Sequence, residues 1–262
     1  MLEVSGIRIR LSQLDGSDAG ELAALRRVVA KKLRVPEREL AGVERRRRSI
    51  DARKKNDIVL TFTARVGLRA GEDAERALLG KLARARAEKG VRLVAEKPFL
   101  FPEPVGCVPD RRVVVVGAGC AGLFCALSLA RAGLRPLLVE RGDDASRRGE
   151  VVCAHNATGV LDPESNIQFG VGGAGTFSDG KLQTGTKSPA HRLILQEFVD
   201  AGAQLQILWD AKPHVGSDVL PGVVTNILRQ IEEAGGEVRT RCRMTDLEVD
   251  GGAVRSVVLT SQ

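Results

Sequence analysis

The chain opens on an alternation. In Gly6-Ile-Arg-Ile-Arg-Leu11 apolar and basic residues take turns, which predicts a strand with one buried face. The period then changes: Leu22, Leu25, Val29 and Leu33 lie on one helical stripe, Asp18 with Glu21 forms a capping pair at its start, and Pro36 ends it. Two alternating runs follow, 42–53 and 57–66, with Ile58, Leu60 and Phe62 set against Val59, Thr61 and Thr63. Joined through Lys54-Lys55-Asn56, they predict a hairpin. Helical spacing returns from Glu72 to Lys89, with Leu78, Leu82 and Ala85 inward and Gly90 as the stop, and Val91 to Ala95 makes a last strand.

The order strand, helix, strand, strand, helix, strand predicts a small α+β ferredoxin-like domain over residues 1–96. Residues 97–110 hold four prolines and show no period, so they read as an extended linker. A second domain is expected over residues 111–262. It begins with a buried-strand pattern, Val113 to Val116, followed at once by Gly117-Ala118-Gly119-Cys120-Ala121-Gly122 and an apolar-periodic helix that opens on the third glycine. Gly117 allows a tight turn, Gly119 lets a pyrophosphate approach the backbone, and Gly122 lets helix and strand pack closely. The N–H groups and positive dipole end of such a helix favour phosphate. Glu140 closes the next strand about twenty residues on, where a carboxylate can accept from ribose hydroxyls. This context predicts dinucleotide binding on a Rossmann-like α/β domain.

From Arg141 to Gly149 the chain is polar and reads as a loop over the cofactor, with arginines that meet phosphate or adenine, or else solvent. The segment Gly170-Val-Gly172-Gly173-Ala174-Gly175-Thr-Phe-Ser-Asp-Gly180-Lys181 is rich in glycine. Its last seven residues have P-loop spacing, but Leu182 stands where magnesium needs a Ser or Thr hydroxyl, which argues against a nucleotide hydrolase. The glycines suit a backbone packed against a flat ligand such as a flavin ring, or an ordinary turn. Beyond it, residues 190–201 predict a helix, Gln204 to Trp209 a short strand, and a helix capped by Ser217 or Asp218 runs to Gly235-Gly236. The stretch from Glu237 to Val249 turns at Asp250-Gly-Gly and returns over 253–260 as a hairpin, with backbone near Met244 placed for an adenine. His214, one of three histidines with His155 and His191, reads first as a hydrogen-bonded structural residue, with a catalytic or substrate role as the alternative, and no side chain stands out as acid, base or redox thiol.

Composition adjusts this picture. Residues 1–100 carry 24 Lys+Arg against 14 Asp+Glu, so the net charge of +7 sits in the first domain, as a solvated face or a surface for an acidic partner. Glu44-Arg-Arg-Arg-Arg48 raises nucleic-acid binding, but the sheet offers only Phe62, on a buried position, and the chain has no tyrosine to stack on bases. Nucleic acid is therefore not an expected partner. The cysteines at 107, 120, 125, 153 and 242 form no CxxC pair, so they read as reduced and mostly structural, with no metal site. No apolar run reaches the roughly 18 residues of a membrane span, and the start lacks signal-peptide regions, so a cytoplasmic location is expected.

The set Val114-Val-Val-Gly117-Ala-Gly119-Cys-Ala-Gly122-Leu-Phe, Val139-Glu140-Arg141-Gly142, Pro163-Glu-Ser-Asn-Ile-Gln-Phe-Gly170, Gly172 to Leu182 and Lys212-Pro-His-Val-Gly-Ser-Asp218 resembles the largely uncharacterised bacterial FAD-dependent dehydrogenases related to glutathione-reductase-like flavoproteins. Members also carry an N-terminal domain with a segment like Ser49 to Lys55. The resemblance implies FAD rather than free NAD at Gly117 to Glu140 and Arg141, with Gly172, Gly173 and Ala174 near the flavin. Cys120 stands where the family has proline. The family's longer chains imply that this one matches their N-terminal half: an FAD-binding domain incomplete at its C-terminus, with part of a substrate domain. The expected function is an FAD-dependent oxidoreductase of unassigned substrate and electron acceptor, or its FAD-binding half. The alternative is a non-catalytic nucleotide-binding or basic docking module.

Overall fold

The computed structural model describes residues 1–95, 98–106, 110–182, 184, 186 and 188–261. The chain divides into two compact units, Met1–Pro98 with Leu208–Pro213, and Phe99–Ile207 with His214–Gln262.

In the first unit the elements are β1 (Leu2–Arg10), α1 (Asp18–Leu33), β2 (Leu40–Asp51), β3 (Val59–Leu68), α2 (Gly71–Arg84) and β4 (Val91–Leu93). The four strands form one antiparallel sheet in the order β2-β3-β1-β4. β1 begins four residues before its alternation suggests, because a register shift between Val4 and Ile7 changes its phase. Leu2 and Val4 are buried before the shift, Ile7 and Ile9 after it, so even positions give way to odd ones. These side chains meet Leu25, Val29 and Leu33 of α1 and Phe62, Ala64 and Val66 of β3 in one core. The cap of α1 is not the expected pair. Ser17 is the N-cap, its hydroxyl accepting from the Gly20 N–H at 2.9 Å, while Asp18 and Glu21 reach across to Arg45. α2 stops at Arg84, five residues short of Lys89, because Arg86 turns left-handed (φ 49°) and the Ala87 N–H closes on the Leu82 carbonyl.

The basic run on β2 is largely consumed inside this unit. Arg45 is 7% exposed, is bonded to Asp18 and Glu21, and lies 4.0 Å from the centre of the Trp209 ring. Arg48 makes a two-pronged bond to Asp210 at 2.8 and 3.1 Å and a third to Glu21 at 3.0 Å. The backbone follows: the Arg48 N–H donates to the Trp209 carbonyl and the Ala211 N–H to that of Arg48. The apolar run at 204–209 is thus not the expected strand. It forms a 3-10 turn, Leu205–Leu208, and delivers Trp209 and Asp210 to the edge of β2.

The second unit has a mixed α/β arrangement around a short parallel sheet. Val105 bonds through its N–H to the Ala132 carbonyl and Phe101 lies under Arg131, so this part of the expected linker packs on the unit. Lys97 and residues 107–109 of that linker lie outside the described residues. β5 (Val114–Val116), β6 (Leu137–Val139) and β7 (Glu237–Arg239) are parallel in the order β5-β6-β7. Between them come α3 (Cys120–Arg131), α4 (Ala145–Thr158), α5 (Ala190–Asp200) and α6 (Leu220–Glu233). Leu123, Leu127 and Ala130 of α3 share a core with Val223, Ile227 and Ile231 of α6 and Leu138 of β6. α6 starts at Leu220 without a side-chain cap at Val219, rather than from Ser217 or Asp218.

Two further expectations fail in this unit. The polar stretch after Arg141 is not a loop: Asp144 caps α4, its carboxylate accepting from the N–H groups of Ser146 and Arg147. The tail does not run as one strand, because Arg241 is left-handed (φ 50°). Residues before it join the parallel sheet, and those after it form the antiparallel hairpin of β8 (Cys242–Asp250) and β9 (Ala253–Ser261). Among the described residues no helix is long and apolar enough to cross a membrane.

The pairing of Asp18 with Arg45 carries a pH dependence. The hydrogen bond from Arg45 holds the Asp18 carboxyl below its ordinary value of 3.8. A lowered folded-state pKa gives stability that is complete above the unfolded value and lost as pH falls through the folded one. Asp18→Asn is therefore expected to flatten the acid limb of Tm against pH below about 4 and to leave the neutral limb parallel to the wild type. Thermal denaturation across that range measures it.

Candidate functional site

β5 ends in a turn whose conformation only glycine takes easily. Gly117 has φ 94°, and its N–H donates to the Val139 carbonyl at 2.7 Å, tying the turn to β6. α3 then opens at Cys120, two residues before the expected start, with Gly119 as N-cap and no side chain over its first turn. Gly122 presses on the turn. A Cβ there would stand 1.8 Å from the Gly117 carbonyl oxygen, whereas one on Gly119 would meet nothing within 4 Å. One glycine is demanded by packing; the other leaves space beside the helix N-terminus.

Glu140 holds the next corner. Only 5% exposed, its carboxylate accepts from the Ala118 N–H at 2.8 Å and the Gly142 N–H at 2.9 Å. The group expected to face ribose thus already joins the glycine turn to the end of β6. The neighbouring backbone brings β8 in: the Arg241 N–H donates to the Gly142 carbonyl and the Cys242 N–H to that of Glu140, both at 2.9 Å. Arg243 and Met244 are set at the same corner.

The opposite wall is the turn from Pro163 to Gly173. Gly172 donates its N–H to the Ala118 carbonyl at 2.7 Å, and a Cβ on Gly173 would lie 3.5 Å from the Gly119 Cα. The two glycine turns therefore pack backbone to backbone. Arg141 lies 4.4 Å from the Phe169 ring centre and bonds Glu164 at 2.9 Å, and Arg243 reaches the other oxygen of Glu164 at 3.3 Å. Behind this wall sits Arg148, wholly buried on α4.

These walls enclose a cleft of about 320 Å³, within the size range of small-molecule sites. Of the residues expected at the ligand, Gly117, Gly119, Glu140, Arg141, Gly173 and Met244 line it. Ala118 is buried beneath it, Cys120, Ala121 and Ala174 are exposed beside it, and Gly122 and Gly172 support it from behind. Gln168, Phe169, Gly170 and Arg243 also line it and were not expected, although Pro163 to Gly170 had stood out as a motif. None of the three histidines does: His155 bonds the Val160 carbonyl, His191 bonds Thr186, and His214 is exposed beside Lys181. Arg148 corrects the reading of the polar stretch, since it is fully buried and donates to backbone carbonyls. Cys120, Cys125 and Cys153 are exposed and Cys242 alone is buried among the described cysteines, so most of them are not core residues; Cys107 lies outside those described.

Comparison with known proteins bears on both units. Residues 112–182 match the family model of FAD dependent oxidoreductases, and residues 1–67 match a domain of unknown function, DUF8436. An uncharacterised protein of Clostridium beijerinckii is 37% identical over 254 residues, 97% of this chain and 46% of that protein. The bifunctional tRNA 5-methylaminomethyl-2-thiouridine biosynthesis protein MnmC of Stutzerimonas stutzeri is 33% identical over 136 residues, 50% of this chain and 19% of that protein. The chain thus spans less than half the length of these relatives. Among solved structures, Thermovibrio ammonificans THI4 aligns with 57% of this chain and 47% of its own, at 20% identity and a TM-score of 0.34. The L-amino acid deaminase of Proteus myxofaciens aligns with 62% and 45%, at 16% identity and a TM-score of 0.27.

The close approach at Gly122 sets its own test. Gly122→Ala forces the Gly117 carbonyl to move and is expected to cost about 1–3 kcal/mol, as overpacking does, read as a lowered midpoint in urea denaturation.

Proposed function

We propose that this chain provides the FAD-binding part of an FAD-dependent oxidoreductase, a dehydrogenase of the glutathione-reductase-like kind, whose small-molecule substrate and electron acceptor are unassigned. One observation carries the reading. Gly119 lines the cleft with open space where a side chain would stand, Gly117 before it is left-handed, and Gly122 after it presses on the turn. That is the division of labour a dinucleotide turn requires: a tight bend, an open approach for pyrophosphate and a close helix-strand contact. The family match over residues 112–182 supports the same cofactor.

In this reading the Gly117-Ala118-Gly119 turn and the first turn of α3, Cys120 to Gly122, take the pyrophosphate through backbone N–H groups and the helix dipole. Glu140 spends two acceptor positions on Ala118 and Gly142, and a carboxylate has about four, which leaves capacity for a ribose hydroxyl. Arg141 and the backbone at Met244 border the adenine end, and Gly172, Gly173 and Ala174 border the flavin. Bound FAD supplies hydride or electron transfer; the chain's own residues bind it, orient it and shield it from water. The second unit is then a Rossmann-like domain, and the first, with its β2-β3-β1-β4 order, a ferredoxin-like one. A basic docking module has less behind it, since Arg45 and Arg48 are engaged by Asp18, Glu21 and Asp210. For the same reason no nucleic acid is proposed as a partner.

The test is direct. Added FAD is expected to raise Tm and to lose fluorescence on binding, and Gly119→Val to abolish both effects while Tm without FAD stays near that of the wild type. Wild-type protein indifferent to FAD would sink the reading, and retention of flavin by Gly119→Val would sink the placement of the pyrophosphate.

A further inference from the structure

Fully buried arginines are rare, and those that occur are normally paired with a carboxylate. Arg148 has 0% exposure, yet its hydrogen bonds all go to backbone carbonyls. Nε donates to Asn166, Nη2 to Ile167, and Nη1 to Val171 and Gly173, each at 2.8 Å, with Gly170 a further 3.5 Å contact. The acceptors span residues 166–173, so the chain is curled around the guanidinium. No helix or strand hydrogen-bonding pattern holds this arc until the 3-10 turn at Ala174–Phe177. Gly170 marks how tightly the arc is drawn: at φ 121° it has no room for a Cβ, which would stand 2.5 Å from the Arg148 Cδ. The same arc supplies Gln168, Phe169, Gly170 and Gly173 to the cleft.

We infer that Arg148 is the positioning residue of the cleft, a buried guanidinium that fixes the 166–173 wall in the shape that receives the ligand without touching it. The inference deepens the proposed FAD reading and rests on it for the identity of the ligand. Only arginine suits the task. Its planar fork offers five N–H donors in fixed directions, whereas a lysine ammonium offers three from one point. Removing it takes the side-chain donor from the carbonyls of Asn166, Ile167 and Val171, while those of Gly170 and Gly173 keep the N–H groups of Gly173 and Thr176, and the arc is expected to open locally while the cores on α3, α6 and β6 persist.

The experiment uses the full chain with Arg148→Ala, Arg148→Lys and, as a control on an exposed position of α4, Glu150→Gln. Amide hydrogen exchange over residues 166–173 is followed without nucleotide, and FAD affinity by quenching of flavin fluorescence. Arg148→Ala is expected to lose protection in that arc alone and to bind FAD about tenfold or more weakly, the loss of one charged hydrogen bond being enough for this. Low-millimolar guanidinium chloride is expected to restore affinity, and urea at the same concentration to leave it low. Arg148→Lys is expected to fold and to recover only part of the protection, so it carries the test if the alanine variant does not fold. Wild-type protection and affinity in Arg148→Ala would overturn the inference, as would wild-type values in Arg148→Lys where the alanine variant does not fold. Failure of the wild type to bind FAD would instead overturn the ligand assignment, with the exchange data still deciding the role of Arg148.

Discussion

The carboxylate of Glu140 is the constraint on which the second unit turns. A buried negative charge is costly unless it is bonded, and here it is bonded to two N–H groups that belong to different pieces of backbone, Ala118 in the glycine turn and Gly142 beyond β6. With the turn and the strand end fixed to one another, the carbonyl of Glu140 then receives Cys242 and starts β8. Three segments far apart in sequence meet at one residue. The cleft is the space that this meeting leaves open.

Its two walls are built by opposite means. On the Glu140 side an anion gathers N–H groups; on the Arg148 side a cation gathers carbonyls. Burial pushes the Arg148 pKa down and the charge of Glu140 opposes that shift, so the two charges support one another across the backbone they organise. Both spend their hydrogen bonds on main chain, and the one ring against the Arg148 guanidinium is that of Phe177, 5.0 Å away. Each fixes main chain, and the two turns they fix bring Gly117, Gly119, Gly170 and Gly173 to the lining of the cleft.

This explains which parts of the molecule could be read from sequence. The periods of α1, β3 and α6 were legible, because burial of Leu25, Phe62 and Ile227 leaves a repeating apolar mark. The glycine turn was legible because Gly117 takes a left-handed backbone and Gly122 packs against the turn, each marking the sequence with a glycine. β1 was cut short because the shift at Val4/Ile7 changes phase, and β8 was merged with β7 because nothing in the composition marks a left-handed Arg241. The helix α4 and its buried Arg148 were hidden for a deeper reason. A polar residue that satisfies itself on backbone carbonyls has no periodic signature, and Arg141 to Gly149 resembles solvated loop. The 204–209 run misled in the other direction, its apolar residues serving a 3-10 turn that presents Trp209 to Arg45.

That excursion has a consequence for the order in which the chain becomes folded. The first unit takes its last piece, Leu208–Pro213, from more than a hundred residues downstream of Pro98. Until that piece arrives, Arg48 lacks Asp210 and Arg45 lacks the face of Trp209. During synthesis the four-stranded sheet can pair from the first hundred residues alone, but the bridge from Asp210 to Arg48 on its β2 edge waits for the later piece. An unpaired strand edge is a place where chains misassociate. Charged side chains disfavour such pairing, and β2 carries four consecutive arginines, Arg45 to Arg48, on that edge strand.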